Sequence, residues 1–193
     1  MKAGAHLYGA IIPGPGPCAR TLQTILKLIQ LKKNEENVIT IKKIRNIFLI
    51  VLGFLALGAI GGGIVLIISP DGELLGLPLS EFKNIPFTSY LIPGIILFSM
   101  LGVIPSLLII ALIKKPESKI AEQINIFNDM HWSWTYSIYI AFTLIGWIHI
   151  ELIFLQGVVY WLHTFYMFYA ILIIIIALLP QMRYLYKKKS SLE

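Results

Sequence analysis

Residues 46–69 read NIFLIVLGFLALGAIGGGIVLIIS, a run without one Asp, Glu, Lys or Arg. A helix needs about 20 apolar residues to cross roughly 30 Å of hydrocarbon at 1.5 Å per residue. A helix on the surface of a soluble domain keeps a polar face, and this stretch has none. It is predicted to span a bilayer and to end at Pro70.

Three further blocks of this kind follow. They cover about 90–113, ending at Lys114-Lys115-Pro116, then about 132–155, then about 158–179, ending at Pro180. The predicted fold class is therefore all-α: an integral membrane bundle of four transmembrane helices. Composition agrees, with 57% hydrophobic and 13% charged residues over 193 positions. Soluble proteins carry about 25% charged residues.

The charges that remain set a predicted orientation. Basic residues cluster before the first span (Lys2, Arg20, Lys27, Lys32, Lys33, Lys42, Lys43, Arg45), in the loop after the second (Lys114, Lys115, Lys119) and in the tail (Arg183, Lys187, Lys188, Lys189). Of the 16 Lys and Arg residues, Lys83 alone lies on the other side, beside Asp71, Glu73 and Glu81. The positive-inside rule then puts both termini in the cytoplasm of a multi-pass cell-membrane protein. It also explains the net charge of +6 as topology determinants and contacts to lipid headgroups. No nucleic-acid-binding motif accompanies it.

Three regions result. Residues 1–44 form a cytoplasmic segment, with a disordered start and a basic amphipathic helix over about 20–33. There Leu22, Ile25, Leu26 and Ile29 share a face suited to the inner membrane surface. Residues 45–180 hold the spans, with an outer loop over 70–89. Residues 181–193 are a basic cytoplasmic tail. The outer loop is apolar at Leu74, Leu75, Leu77, Leu79 and Phe82, so it is expected to lie against the bundle. Trp132 and Trp134 are expected at the inner interface, and Tyr160 and Trp161 at the outer one.

In the first span, Gly58 and Gly62 are spaced for close helix contact, either within the chain or as the seam of a homo-oligomer. In the second, Pro105 removes a backbone hydrogen bond and is expected to kink the helix, with Ser99 and Ser106 available to freed carbonyls.

Three ionisable residues fall within the spans: His149, Glu151 and His163. Such groups are costly in hydrocarbon and usually face the protein interior. The connection between the third and fourth spans is very short, around Gln156 and Gly157, so these helices form an antiparallel hairpin. Glu151 stands six residues before Gly157 and His163 six after it. Both lie about 9 Å below the tip, so contact between them is expected. Trp147 shares a helical face with Glu151, and Tyr160 and Tyr166 share one with His163. These five residues make the candidate intramembrane site. His149 points about 200° away from Glu151. The pair reads either as a structural hydrogen bond or as part of a binding pocket. Cys18 is the single cysteine, and one carboxylate with two unaligned histidines specifies no metal geometry. No metal, other cofactor or catalytic residue is assigned.

Gly61-Gly62-Gly63, Ser69-Pro70-Asp71-Gly72, Gly76-Leu77-Pro78-Leu79-Ser80, Pro86-Phe87 and Tyr90-Leu91-Ile92-Pro93-Gly94 form one motif set. Trp147-Ile148-His149-Ile150-Glu151 followed by 162–166 forms a second. Together they resemble a group of small, uncharacterised prokaryotic four-helix membrane proteins, over about 52–179. The resemblance implies the same fold and carries no activity. Members that have Gln in place of Glu151 and His163 imply hydrogen bonding there rather than acid–base chemistry.

Function is read as non-enzymatic binding of a lipid, a small apolar ligand or a membrane partner on the extracytoplasmic side. A small homo-oligomeric transporter or channel is one alternative. An intramembrane enzyme using Asp71, Glu73 or Glu81 on the outer side is another, although no nucleophile–base pair, P-loop or HExxH helix is present.

Overall fold

The computed structural model describes residues 17–76, 88–155 and 160–188, with the side chains of 17–22, 24, 154, 155 and 160 excepted. Every named element is helical; among the described residues the one β-type contact is an isolated antiparallel bridge between Met130 and Lys187. Among the described residues, four helices are long and apolar enough to cross a membrane.

The chain divides into two units, Met1–Thr40 and Ile41–Glu193. Helix α1, Pro17–Ile68, contributes to both. The sequence predicts a helix over about 20–33 separate from a span starting at about 46. The structure has one unbroken helix instead, because no Gly or Pro occurs between Cys18 and Gly53. In the first unit Ile25, Leu26, Ile29 and Val38 are all exposed. The predicted disordered start lies outside the described residues.

In the second unit, α1 ends at Ile68 and Pro70 opens a turn. A 3₁₀ turn, Glu73–Leu75, follows between Gly72 and Gly76, both at positive φ, where glycine is favoured. Residues 77–87 fall outside the description. The Tyr90 N–H donates to the Pro70 carbonyl at 2.8 Å, tying the start of the second span to the end of the first.

The second span is built in three parts: α2 (Leu91–Ile96), a π-helical stretch (Leu97–Val103) and α3 (Ile104–Lys114). The widened turn sits just before Pro105, whose ring and missing N–H disrupt α-helical bonding. The Ile104 N–H reaches back to Ser99 O, and Ser106 Oγ donates to Gly102 O at 2.9 Å. Ser99 Oγ donates to Ile95 O at 2.7 Å.

This span packs on α1 through glycines. A Cβ on Gly94 would stand 2.8 Å from Leu66 Cβ, and one on Gly102 would stand 2.8 Å from Ile60 Cγ1. Helices in lipid associate by such close approach.

Helix α4 (Lys119–Gln123) begins the next connection, capped by Ser118. Helices α5 (Trp132–Leu155) and α6 (Tyr160–Leu178) pack side by side, and α7 (Pro180–Tyr186) follows. The core joins Phe48, Leu52, Leu101, Leu112, Trp134, Ala141, Ile173 and Tyr186. Trp134, expected at the inner interface, is buried within the protein. It is 2% exposed and donates its indole N–H to Ala177 O at 2.8 Å.

Candidate ligand cavity and polar clusters

Glu151 and His163 meet across the α5–α6 pair. His163 Nε2 lies 3.4 Å from Glu151 Oε2, and Trp147 donates its indole N–H to Glu151 Oε1 at 2.7 Å. Trp147 is one turn before Glu151, so the helix itself sets this contact. The His163 side chain is 4% exposed and that of Glu151 is 27% exposed.

The exposure of Glu151 opens on a cavity of about 520 Å³, within the range of small-molecule sites. Leu55, Gly58, Ala59, Gly62 and Leu66 of α1 form one wall. Pro93, Ile96, Leu97 and Leu101 of the second span form another, three of them flanking or within the π-helical stretch. Leu144, Trp147, Ile148, Ile150 and Glu151 of α5 and Leu162, His163 and Tyr166 of α6 form the rest of the helical wall. Leu75 and Tyr90 lie at the end nearest the 70–89 connection.

Two small residues help leave this space open. The nearest atom to a Cβ on Gly58 would be the Tyr166 hydroxyl at 3.1 Å, and for Gly62 it would be Leu97 at 3.5 Å. Both glycines thus border the cavity within the chain.

The structure brings Glu151, His163, Trp147 and Tyr166 to one cavity. The Tyr160 side chain and Glu81 lie outside the described residues. His149 is exposed and does not line the cavity. Asp71 and Glu73 do not line it either. Asp71 accepts hydrogen bonds from Ser69 Oγ and, at 3.1 Å, from the Glu73 N–H. The Ser69 bond, followed by that from Glu73, holds its carboxyl below the usual range. Its role is to fix the turn. Leu75 borders the cavity as an apolar loop residue, whereas Leu74 is 68% exposed and Phe82 lies outside the described residues.

Sequence reasoning missed Tyr90. It is 7% exposed, lines the cavity, and its hydroxyl is buried with no hydrogen-bond partner among the described residues. Its place at the start of a span, before Pro93, was the available signal.

It also missed a polar cluster around the α4–α5 connection. Asn125 donates to Glu122 Oε2 at 2.9 Å and to Met130 O at 2.8 Å, and accepts from the Thr135 hydroxyl. Lys188 Nζ reaches Glu122 Oε2 at 2.7 Å, and the His131 N–H donates to Tyr186 O at 2.8 Å. Tyr186 donates its hydroxyl to Leu112 O at 2.8 Å, and Lys115 donates to Leu185 O at 2.6 Å. The end of α7 and Lys188 after it are thereby fastened to the end of α3, to α4 and to the residues just before α5.

His131 sits in this cluster. The Ser133 N–H donates to its Nδ1 at 3.2 Å, which places the neutral ring's proton on Nε2. Nε2 is buried without a partner among the described residues. Burial pushes the imidazole below its usual value, with Glu122 opposing and Lys115 adding to the effect.

No group of three or more His, Cys, Asp or Glu suited to a metal occurs among the described residues. Comparison with known proteins finds no family model, curated protein or solved structure that matches this chain.

Proposed function

We propose that this chain is a multi-pass membrane protein that holds a small lipid-soluble molecule in the cavity between its four spans. The supporting observation is the cavity itself: about 520 Å³, apolar on most of its wall, with Glu151, His163, Trp147 and Tyr166 converging on one side. Apolar pockets with a few fixed polar groups are the usual form of ligand sites. A bilayer setting fits the outward-facing Ile50, Leu57, Leu107, Phe142, Phe168 and Ile175, all exposed and together too extensive for a protein surface in water.

The distribution of basic residues supports an orientation with both ends in the cytoplasm. The cavity end at Leu75 and Tyr90 then faces the outer leaflet, from which the ligand enters.

Native mass spectrometry of the chain released from its own membrane tests the idea. A retained small lipid is expected, and Gly62→Leu, which places a side chain into the cavity, is expected to lose it. A chain that carries no adduct, or a Gly62→Leu variant that keeps it, would overturn the reading.

A further inference from the structure

We propose that the connection between α3 and α5 dips into the inner leaflet, held there by tyrosine hydroxyls of α5, with Ile124 and Ile126 turned to lipid acyl chains. The inference rests on the four-span orientation and not on the cavity. It adds a surface of contact with the bilayer where the sequence shows only a basic loop.

The path of the connection is fixed by side chains of α5. It sets out at Pro116, whose carbonyl accepts the Trp132 indole N–H at 2.8 Å. It passes Tyr136, whose hydroxyl donates to Ala121 O at 3.4 Å. Its furthest point is at Tyr139, whose hydroxyl donates to Ile124 O at 2.8 Å and accepts from the Ile126 N–H at 3.4 Å. It then returns to Met130, beside the head of α5. Trp132, Tyr136 and Tyr139 recur at helical spacing on one face, with successive ring centroids 5.3 and 5.5 Å apart.

The bonds between helices give the depth of that furthest point. Trp134 of α5 donates to Ala177 O of α6, which sets a common level on the two. Tyr139 stands five residues further into the span, about 7.5 Å at 1.5 Å per residue. Both side chains lean toward the N-terminus of α5, so the offset carries over to their tips. Around that depth α6 exposes Leu172 and Ile175. A segment seated outside α5 at the same depth has lipid on its far side.

The chemistry of the segment suits that place. Ile124 and Ile126 are exposed, whereas Asn125 between them is buried and bonded to Glu122, Met130 and Thr135. Irregular backbone at membrane depth must be satisfied by the protein. Here Tyr139 serves Ile124 O and the Ile126 N–H, Asn125 Oδ1 takes the Phe127 N–H at 3.2 Å, and Glu122 O takes the Asn125 N–H at 3.2 Å. A loop in water has no need of such a set. The charge of Glu122 stays at the shallow end, where its carboxylate accepts from the Trp132 N–H at 3.3 Å and meets Lys188.

The test uses the full chain in phosphatidylcholine nanodiscs, with Cys18→Ser and one nitroxide-labelled cysteine at a time. Labels at Ile124→Cys and Ile126→Cys are expected to collide with dissolved oxygen more than with a water-soluble nickel chelate. Phe142→Cys is the lipid reference and Glu117→Cys the water reference. Chelate collisions dominating at both 124 and 126 would put the connection in water and overturn the proposal. Low collision with either reagent would show a protein cover, such as a second copy, and would overturn it too. Adding Tyr139→Phe to Ile126→Cys is expected to shift the balance toward the chelate, because two backbone groups then lack partners. An unchanged balance would overturn the part given to that tyrosine. If Phe142→Cys also favours the chelate, the four-span reading fails and this proposal with it.

Discussion

Gly63 lies directly on the backbone of Phe98, so that a Cβ at Gly63 would stand 2.9 Å from both the Phe98 N and Cα atoms. Neither atom is the end of a flexible side chain, so an added methyl must push two spans apart. Gly63→Ala is expected to destabilise the bundle by about 1–3 kcal/mol, the usual cost of overpacking. Gly61→Ala is the control, since a Cβ there would meet nothing within 4 Å. Thermal unfolding in detergent measures both. Equal melting temperatures for the two variants would show that α1 does not pack on the second span in this way.

Glu151 is the acceptor for Trp147 and the partner of His163. Glu151→Gln keeps an acceptor and is expected to shift stability by only about 0.6 kcal/mol, the average for hydrogen bonds between membrane helices. Glu151→Leu removes the acceptor from two neighbours and is expected to cost about 1–3 kcal/mol. The emission of Trp147 should change with Leu and hardly at all with Gln. Identical behaviour of the two variants would contradict the observed bonding.

His131 gives the protein a pH dependence of definite sign. Its pKa in the folded chain lies below the ordinary 6.5, chiefly through burial. The unfolded chain therefore binds more protons as the pH falls, and stability present above 6.5 is lost between that value and the lower folded one. Melting temperatures are expected to fall between pH 7.5 and pH 5.5. In His131→Asn, whose Oδ1 can replace Nδ1 as acceptor, that slope should flatten. An unchanged slope in the variant would assign the effect elsewhere.

Orientation is open to a direct measurement. A reporter active only in the cytoplasm should work when fused after Lys189 or placed near Glu117. One active only outside should work near Glu81. The reverse pattern would refute the inference from the basic residues.

The four apolar helices were legible because a chain crossing hydrocarbon must satisfy its backbone within one uninterrupted segment. That requirement writes itself as a run of apolar residues such as 46–69. The meeting of Glu151 with His163 was legible for a related reason: a short connection fixes depth on both sides of it. The cavity was not. It depends on what Gly58 and Gly62 leave unfilled, and on Pro93 and Leu97 arriving opposite them. Tyr90 was not legible as a lining residue because its burial depends on packing across the bundle. Trp134, read as an interface residue, has its hydrogen-bond partner within the protein, on α6, a contact made only when the helices pack. The cluster of Asn125, Thr135, Glu122 and Lys188 joins residues up to 66 positions apart, a juxtaposition that only the closed bundle creates. Pro105 signalled an irregular helix but did not say that it would be accommodated by a wider turn.

That wider turn has a consequence for how the gene can change. In an α-helix each residue advances the chain by 100°, and a π-helical stretch absorbs a residue that regular α-winding has no place for. Losing one codon within 97–103 would let the segment rewind as a plain helix while keeping α3 in its seat. Tyr90 and Pro93 before it would keep their facing, because the residue lost is the one the wide turn absorbs. The span thus has one place, 97–103, where its length can shorten by a residue, whereas a loss within α2 or α3 would turn everything on one side of it by about 100° and take a wall from the cavity.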